Sequence, residues 1–261
     1  MDVDVLAKGV AEVRARRPHA ELELRLGSYV DGRFCAGVPK DVFDQLEQDM
    51  QDAHELTAED GWSEVVDYFY PTARGERVRT RVTFDTQRME VGTEHVVKQT
   101  SGSAVLQGEQ GEDEEGAAQG GAACRIAWAT ETPLAEPAPG TCVPTHVRIK
   151  QRRCFRDVRA GKAVWSYELS KTWSAGGRSA VEHLQRVAPP VYEVECELVD
   201  EGGAYLVARA DADVAASFLL KARLLLGDAE ARIVTHEERC GGGGGGGSEA
   251  SSRTRKRSRA V

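Results

Sequence analysis

The stretch Tyr192–Leu198 reads Tyr-Glu-Val-Glu-Cys-Glu-Leu and alternates between acidic and apolar residues along its length. A strand period of two puts Glu193, Glu195 and Glu197 on one face and the apolar residues on the other. Same-face neighbours lie about 6 to 7 Å apart, where two carboxylates repel by roughly 2 to 3 kcal/mol at an effective dielectric of about 20. Three acids on one face therefore need water, arginines or a cation beside them.

A second acidic strand lies near the start of the chain. Residues 21–27 read Glu-Leu-Glu-Leu-Arg-Leu-Gly, which puts Glu21 and Glu23 on one face and leucines on the other. Taken alone, either acidic strand also fits an ordinary half-exposed strand with a solvated face. The alternative to a solvated face comes from the middle of the chain.

The middle of the chain carries the opposite charge pattern. A first strand there puts Arg148, Lys150 and Arg152 on one face, and a second puts Arg79 and Arg81 at the same spacing. Arg79 and Arg148 would either bind an anionic ligand or neutralise glutamates on neighbouring strands. Acidic and basic strands that are each backed by apolar residues indicate a sheet closed around a charged interior, as in a small barrel.

Composition limits the class of protein. The chain has 261 residues, 41% of them hydrophobic, which suits one moderately large domain with a core. A net charge of −8 argues against a whole-surface grip on nucleic acid, so a local basic cluster or a metal must hold any anionic ligand. The six cysteines contain no Cys-x-x-Cys pair, which disfavours zinc and predicts reduced thiols in an intracellular protein. No stretch is long enough for a membrane span, so we expect no membrane partner.

The predicted elements are mainly strands. We expect helices over 2–17, 39–51 and 211–226, a first strand over 20–26, a hairpin turn at Asp31-Gly32, and further strands near 62–70, 76–85, 88–91, 94–99, 124–131, 146–155, 163–173 and 191–199.

Two segments are predicted to lie outside regular structure, besides a short flexible link at 175–179. Residues 101–123 form a Gly-, Gln- and acid-rich insert with almost nothing to bury, which predicts a disordered loop within a domain of residues 1–238. Residues 239–261 combine seven consecutive glycines with a basic tip, which predicts a flexible linker and tail. The tip is either a nuclear-import address, a weak RNA or partner contact, or an inert end.

The charged strands together indicate phosphate chemistry. Five glutamates on two strands offer hard oxygen ligands, which favour magnesium, manganese or calcium. Five cations on two other strands suit a polyphosphate. A metal and several Arg and Lys groups around a phosphate chain supply most of what phosphoryl transfer needs.

The chain resembles the metal-dependent mRNA 5′-triphosphatases of the triphosphate tunnel metalloenzyme family, the type also found as the capping enzyme β-subunit. The segments that carry the resemblance occur in family order: Glu-Leu-Glu-Leu-Arg-Leu-Gly at 21–27, Gly-Arg-Phe at 32–34, Gly-Val at 37–38, Phe-x-x-Leu at 43–46, Arg-Val-Thr-Phe-Asp at 81–85, Thr-Glu-Thr-Pro at 130–133, Arg-x-Lys-x-Arg at 148–152 and Glu-x-Glu-x-Glu at 193–197.

This resemblance implies a mainly β (α+β) fold, an eight-stranded antiparallel β tunnel with helices packed outside. It implies hydrolysis of the γ-phosphate of 5′-triphosphate RNA to a 5′-diphosphate end, the first step of mRNA cap formation, with Mg²⁺ or Mn²⁺ as cofactor. The implied metal ligands are Glu21, Glu23, Glu195 and Glu197, with Glu193 binding a metal-held water or a cation. The implied catalytic and phosphate-binding residues are Arg81, Lys150 and Arg152, supported by Arg148 and Arg79, with Glu131 orienting the attacking water.

The chain departs from the family in one strand. Where the family has Arg-x-Asp-x-Thr, this sequence has Ser166, Glu168 and Ser170. Charge and hydroxyl are kept at the last two positions, so we expect Glu168 and Ser170 to support the site. The arginine is lost, and Arg148 or Arg79 would have to replace it.

Two other functions stay open. Relatives in the wider tunnel superfamily hydrolyse inorganic or nucleoside triphosphates, although their usual Glu-x-Glu-x-Lys motif has Arg25 here. An inactive tunnel that binds RNA or a capping partner is the other. No Lys-x-Asp-Gly motif occurs, which predicts either a separate mRNA guanylyltransferase partner or a larger capping enzyme of which this chain is a fragment. The resemblance also allows a homodimer, and it predicts the nucleus, or a viral factory or the cytoplasm if a virus encodes the chain.

Overall fold

The computed structural model describes residues 3–71, 77–107, 122–134 and 143–227, and these residues form five helices and ten strands. The helices are α1 (Val3–Arg16), α2 (Lys40–Asp52), α3 (Arg178–Val187), α4 (Ala204–Val207) and α5 (Asp211–Leu225). The strands are β1 (Ala20–Val30), β2 (Arg33–Ala36), β3 (Leu56–Ala58), β4 (Ser63–Pro71), β5 (Arg77–Phe84), β6 (Glu90–Gln107), β7 (Ala122–Pro133), β8 (His146–Arg159), β9 (Lys162–Ala175) and β10 (Val191–Leu198).

Eight of these strands close into an antiparallel barrel. The order around the wall is β10-β9-β8-β4-β5-β6-β7-β1, and β1 pairs back with β10. The closing ladder puts Glu23 opposite Glu197 and Arg25 opposite Glu195. The predicted mainly β fold, an eight-stranded antiparallel tunnel with helices outside, is therefore confirmed.

The wall has an apolar outer face and a charged inner face. On β1, Leu22, Leu24 and Leu26 are buried, and they belong to one hydrophobic cluster with α1, α2 and α5. The same cluster holds Trp165 of β9, whose ring meets Phe218 of α5 edge-on at 4.6 Å between centroids. Because a strand has a period of two, burying these residues under the helices leaves the charged alternates facing the lumen.

The β1–β2 hairpin is an addition to the barrel. Asp31 and Gly32 both have positive φ, 49° and 75°, as the predicted two-residue turn requires. Past Arg25, β1 leaves the ladder with β10 and pairs with β2 instead, from Gly27 opposite Ala36. The closed ring of strands therefore ends at this level, and the hairpin stands on its rim.

The predicted disorder over 101–123 is wrong at both ends of that segment. Residues 101–107 continue β6, and residues 122–123 begin β7, with Leu106 opposite Cys124 in the ladder. Gly102 is what makes this strand possible, because any side chain there would collide with the ring of Trp128. The glycine that suggested a loop is a packing residue. The strands predicted near 88–91 and 94–99 are likewise the single strand β6, and residues 108–121 lie outside the described residues.

The flexible link predicted at 175–179 is also wrong in part. β9 continues to Ala175 and α3 begins at Arg178. Val181 of α3 is buried against Val66, Val147 and Ile149 in a second, smaller cluster. α3 is an amphipathic helix of ten residues, and no element had been predicted over 180–187.

Three further points concern the sequence predictions. No helix in the described ranges is both long and apolar enough to span a membrane. Cys35, Cys124, Cys154 and Cys196 are free thiols. The predicted linker and tail at 239–261 lie outside the described residues.

Candidate active site

The five predicted acidic residues meet on one side of the lumen. Glu21 and Glu23 come from β1, and Glu193, Glu195 and Glu197 come from β10. These strands are neighbours in the closed wall, although they lie at opposite ends of the barrel sequence. Barrel closure therefore joins two acidic half-sites into one.

Lys150 is the centre of the basic side. Its side chain is 2% exposed, and its Nζ lies 3.0 Å from Glu195, 3.1 Å from Glu168 and 3.3 Å from Glu193. Burial lowers the pKa of Lys150, but the carboxylates of Glu168 and Glu195 more than offset this and raise it. Lys150 is therefore a charged lysine that bridges β8, β9 and β10.

Glu168 connects Lys150 to the other β8 and β9 residues. Its second carboxylate oxygen accepts a bond from Arg152 at 3.3 Å, and the Ser170 hydroxyl donates to its first at 2.7 Å. Burial raises the pKa of Glu168, but Lys150 and Arg152 hold it below its usual value. Ser170 and Glu168 thus position the two cations that the resemblance assigns to phosphate.

Asp67 of β4 organises the remaining arginines, and it is fully buried. Arg81 Nε lies 2.8 Å from one of its oxygens, and an Arg148 terminal nitrogen lies 2.6 Å from the other. Burial raises the pKa of Asp67, but the two guanidinium groups hold it far below its ordinary range. Arg148 thus neutralises an aspartate that was not among the residues predicted from the sequence.

Glu131 of β7 lies opposite Lys98 of β6, between the acidic and the basic side of the lumen. Arg79 donates to it at 3.1 Å and to Glu94 at 3.3 Å. Lys98 of β6 lies 4.0 Å from Glu131 and 3.3 Å from Glu23, and it also pairs with Glu21. Lys98 therefore links Glu131 to the acidic side.

Arg25 neutralises part of the acidic side from within. It pairs with Glu23, and its Nε lies 3.4 Å from Glu195. Burial raises the pKa of Glu195, but Arg25 and Lys150 together hold it far below its usual value. Glu195 is consequently ionised throughout the physiological pH range.

Glu197 is the acid that these cations leave out. Within the described residues it makes no ion pair, and burial, together with the neighbouring Glu23 charge, raises its pKa to about 7. The pKa of Glu23 is raised as well, by burial and by Glu195, against the opposing effect of Arg25. Glu23 and Glu197 face each other across the β1–β10 ladder, so the acidic side carries more negative charge than its own cations neutralise.

The donor set fits a hard divalent cation. Among the described residues, no three acidic, histidine or cysteine side chains already converge as a metal-binding group. The reason is that Lys98, Arg25 and Lys150 engage most of the carboxylate oxygens. The four candidate ligands are nevertheless adjacent carboxylates, the preferred partners of magnesium and manganese, and the excess charge at Glu197 is what such an ion would offset.

Three lumen residues escaped the sequence prediction. Asp67 lies on a strand that is apolar on both faces, so it breaks no alternation. Lys98 lies inside the strand predicted at 94–99 and shares its face with Glu94 and Val96, so a single lysine there forms no basic pattern like that of Arg148, Lys150 and Arg152. Arg125 lies inside the strand predicted at 124–131, but Ala127 and Ala129 follow it on the same face, so this face carries no charge pattern.

The comparisons with known proteins agree with this geometry. No protein-family profile and no curated protein matches the sequence. Among solved structures, an S. pombe Pct1 RNA triphosphatase is 16% identical, with a TM-score of 0.56 over 91% of this chain and 91% of that one. The same protein in complex with the Spt5 CTD gives 18% identity and a TM-score of 0.57 over 85% and 92%. A Mimivirus capping enzyme triphosphatase gives 10% identity and a TM-score of 0.52 over 87% and 97%.

At these identities the likeness concerns the fold. It extends over nearly the whole length of each neighbour, so the barrel and its outer helices are compared as one unit. The chain therefore has the closed eight-stranded tunnel fold of these RNA triphosphatases, as its sequence resemblance predicts.

Proposed function

We propose that this protein is a metal-dependent mRNA 5′-triphosphatase, which hydrolyses the γ-phosphate of 5′-triphosphate RNA to a 5′-diphosphate end. The observation that carries the proposal is the division of the lumen into an acidic side on β1 and β10 and a basic side on β5 and β8. Both sides belong to one enclosed space, because the strands that bear them close into a ring. A divalent cation and a polyphosphate are the pair of ligands that matches this division.

The basic side would bind the phosphates. Lys150, Arg152 and Arg81 now pair with Glu168, Glu195 and Asp67, so a triphosphate has to share them with these carboxylates. Charge-assisted bonds to phosphate are strong enough for this exchange, and Asp67 and Glu168 would keep the cations aligned meanwhile. Arg79 and Arg148 would act indirectly, because they form ion pairs with Glu131 and Asp67.

The acidic side would hold the cofactor through Glu21, Glu23, Glu195 and Glu197, with Glu193 on the same face. When bound, the ion would neutralise the phosphate charge and lower the pKa of a coordinated water. Glu131, which accepts a hydrogen bond from Arg79, would orient the attacking water. Removing any one of the four proposed ligands should therefore cost activity rather than folding.

The direct test is release of labelled phosphate from γ-labelled triphosphate-ended RNA by the full chain. We expect release with Mg²⁺ or Mn²⁺ and none after EDTA, and Glu21→Gln should remove it while the thermal unfolding temperature changes little. Release that survives EDTA would contradict the metal-dependent proposal.

A second candidate function is hydrolysis of inorganic or nucleoside triphosphates. The lumen supports this function, because all the contacts proposed so far are made to phosphate groups or to the metal ion and none to the RNA. The two are separated by running RNA, inorganic tripolyphosphate and ATP side by side and comparing kcat/KM. Binding of RNA without hydrolysis of any of the three would instead favour an inactive binding module.

The cellular setting follows from the same proposal. We propose a separate mRNA guanylyltransferase as its partner, and the nucleus or, if a virus encodes the chain, a viral factory or the cytoplasm as its location. A homodimer also stays a proposal. Co-purification with a guanylyltransferase and light scattering of the pure protein test these points.

A further inference from the structure

Arg125 is the unneutralised cation of the lumen. Within the described residues, the other lumen cations all pair with carboxylates: Arg25, Arg79, Arg81, Lys98, Arg148, Lys150 and Arg152. Arg125 makes no ion pair or hydrogen bond there, and its buried Nε has no partner. Burial and the charge of Arg25 lower the pKa of Arg125. A partly buried arginine without a counter-charge would be stabilised by binding an anion.

The Arg125 side chain contacts an aromatic ring. Its guanidinium lies over the ring of Phe34, 5.1 Å from the centroid, on the rim hairpin. Gly27 makes this arrangement possible, because a Cβ there would collide with the Cys35 carbonyl and lie 2.8 Å from the Phe34 ring. The contact with the ring leaves the Arg125 Nε, which has no partner, available to a ligand.

The position of Arg125 is at the end of the ring, beside the proposed metal site. It lies opposite Arg25, which in turn lies opposite Glu195, so Arg125 is two strand spacings, or about 10 Å, from Glu195 along the wall. Beyond this level β1 pairs with the hairpin instead of β10, so the closed ring stops. An anion at Arg125 would therefore lie at the opening, displaced from Lys150 and Arg152.

We propose that Arg125, which contacts the Phe34 ring, binds a backbone phosphate of the RNA chain behind its 5′-triphosphate. This inference rests on the proposed function and names the feature that would distinguish an RNA end from a free triphosphate. The three cations on β5 and β8 hold the triphosphate, which is common to all candidate substrates. Arg125 contacts what only the polynucleotide has, a further phosphate at the mouth of the tunnel.

The test compares two substrates in Arg125→Ala. We expect KM for triphosphate-ended RNA to rise about tenfold with kcat nearly unchanged, since one charge-assisted phosphate contact is lost. KM for inorganic tripolyphosphate should stay within about twofold of wild type, because that ligand does not reach Arg125. Phe34→Leu should shift the RNA value in the same direction by a smaller factor, since the cation remains but its platform is lost.

Arg153→Ala is the matched control. Arg153 also lies over an aromatic ring, that of Phe155 at 5.3 Å, but it pairs with Glu47 of α2 on the outer face. The same charge is removed there without touching the lumen, so both KM values should stay at wild-type levels.

RNA binding without turnover gives an independent readout. Fluorescence anisotropy of labelled triphosphate-ended RNA in EDTA measures Kd against salt concentration, and losing one phosphate contact should reduce the slope of log K against log salt by about 0.7. An unchanged slope and RNA KM in Arg125→Ala would overturn the inference while leaving the proposed function standing. An equal rise of KM on tripolyphosphate would also overturn it. If wild type hydrolyses nothing, the proposed function fails, and the slope still decides the role of Arg125.

Discussion

The two faces of β1 have opposite tasks. Leu22, Leu24 and Leu26 point outward and are 2% exposed or less, inside the cluster that attaches the helices. Glu21, Glu23 and Arg25 point inward and take part in the lumen charge network. Residues that are neighbours in sequence thus contribute separately to stability and to the proposed chemistry. Substitutions on alternate residues should therefore have distinct phenotypes.

The largest expected effect is on the inner face. Glu195→Gln removes the charge of a proposed metal ligand without changing its volume, and we expect kcat/KM to fall about a thousandfold or more, as for other groups that act on transition-state charge. Lys150 keeps Glu168 and Glu193, so the unfolding temperature should change by only a few degrees. Phosphate release and differential scanning fluorimetry measure the two effects. An active variant would remove Glu195 from the site.

The next largest effect concerns a charged lumen residue that should also stabilise the fold. Asp67→Asn leaves Arg81 and Arg148 buried without their carboxylate, which should cost about 3 kcal/mol of unfolding free energy at pH 7. Urea denaturation measures this loss. A cost near zero would mean that the two arginines find other partners, and that the inner face contributes nothing to stability.

Asp67 also predicts a pH dependence. Its pKa in the folded protein lies far below its ordinary value, so its stabilising contribution is present above about pH 4, the ordinary aspartate pKa. That contribution is lost as the pH falls through the lowered folded pKa. The difference in unfolding free energy between wild type and Asp67→Asn should therefore be constant from pH 7 to 5 and shrink below about pH 4. A difference that grows on acidification would contradict this sign.

The outer face should show the reverse phenotype. Leu24→Ala removes a fully buried side chain and should lower the unfolding free energy by about 2 to 5 kcal/mol. At a temperature where the variant is folded, its kcat should match wild type, because no lumen group changes. Val30→Ala on the same strand, 40% exposed, is the control and should cost about 0.5 kcal/mol or less.

The smallest effect concerns residues outside the barrel. We propose that 1–238 act as the catalytic domain and 239–261 as an appended linker and tail. Deleting 241–261 should then leave kcat/KM on short triphosphate-ended RNA within about twofold of wild type, since every proposed contact lies in the described barrel. A collapse of turnover would place part of the tail in the site.

Much of this architecture could be predicted because charge and strand period coincide. β1 and β10 alternate between charged and apolar residues, and β8 does so from Val147 to Lys150, so their inner and outer faces can be assigned from sequence alone. The closure of the barrel has a weaker signal, since only the complementary charges of distant strands suggest that they share an interior.

The residues that escaped prediction lack such a pattern. Asp67 lies between Val65 and Phe69 on the inner face of β4, so a single acid is hidden among apolar alternates. Gly102 looked like a loop residue, and only the indole of Trp128 against its backbone explains it. Arg125 stands out only because no described carboxylate pairs with it, and this can be seen only once the strands of the barrel are assembled.

The pairing of the first barrel strand with the last has a consequence for synthesis. Until β10 is made, β1 and β9 are unpaired edges, and edges of this kind recruit other chains. The two strands are also far apart in sequence, and such non-local pairing is slow to form. A chain released before residue 191 would thus have an open wall and only two of the four proposed acidic ligands, so the proposed activity would depend on this last pairing.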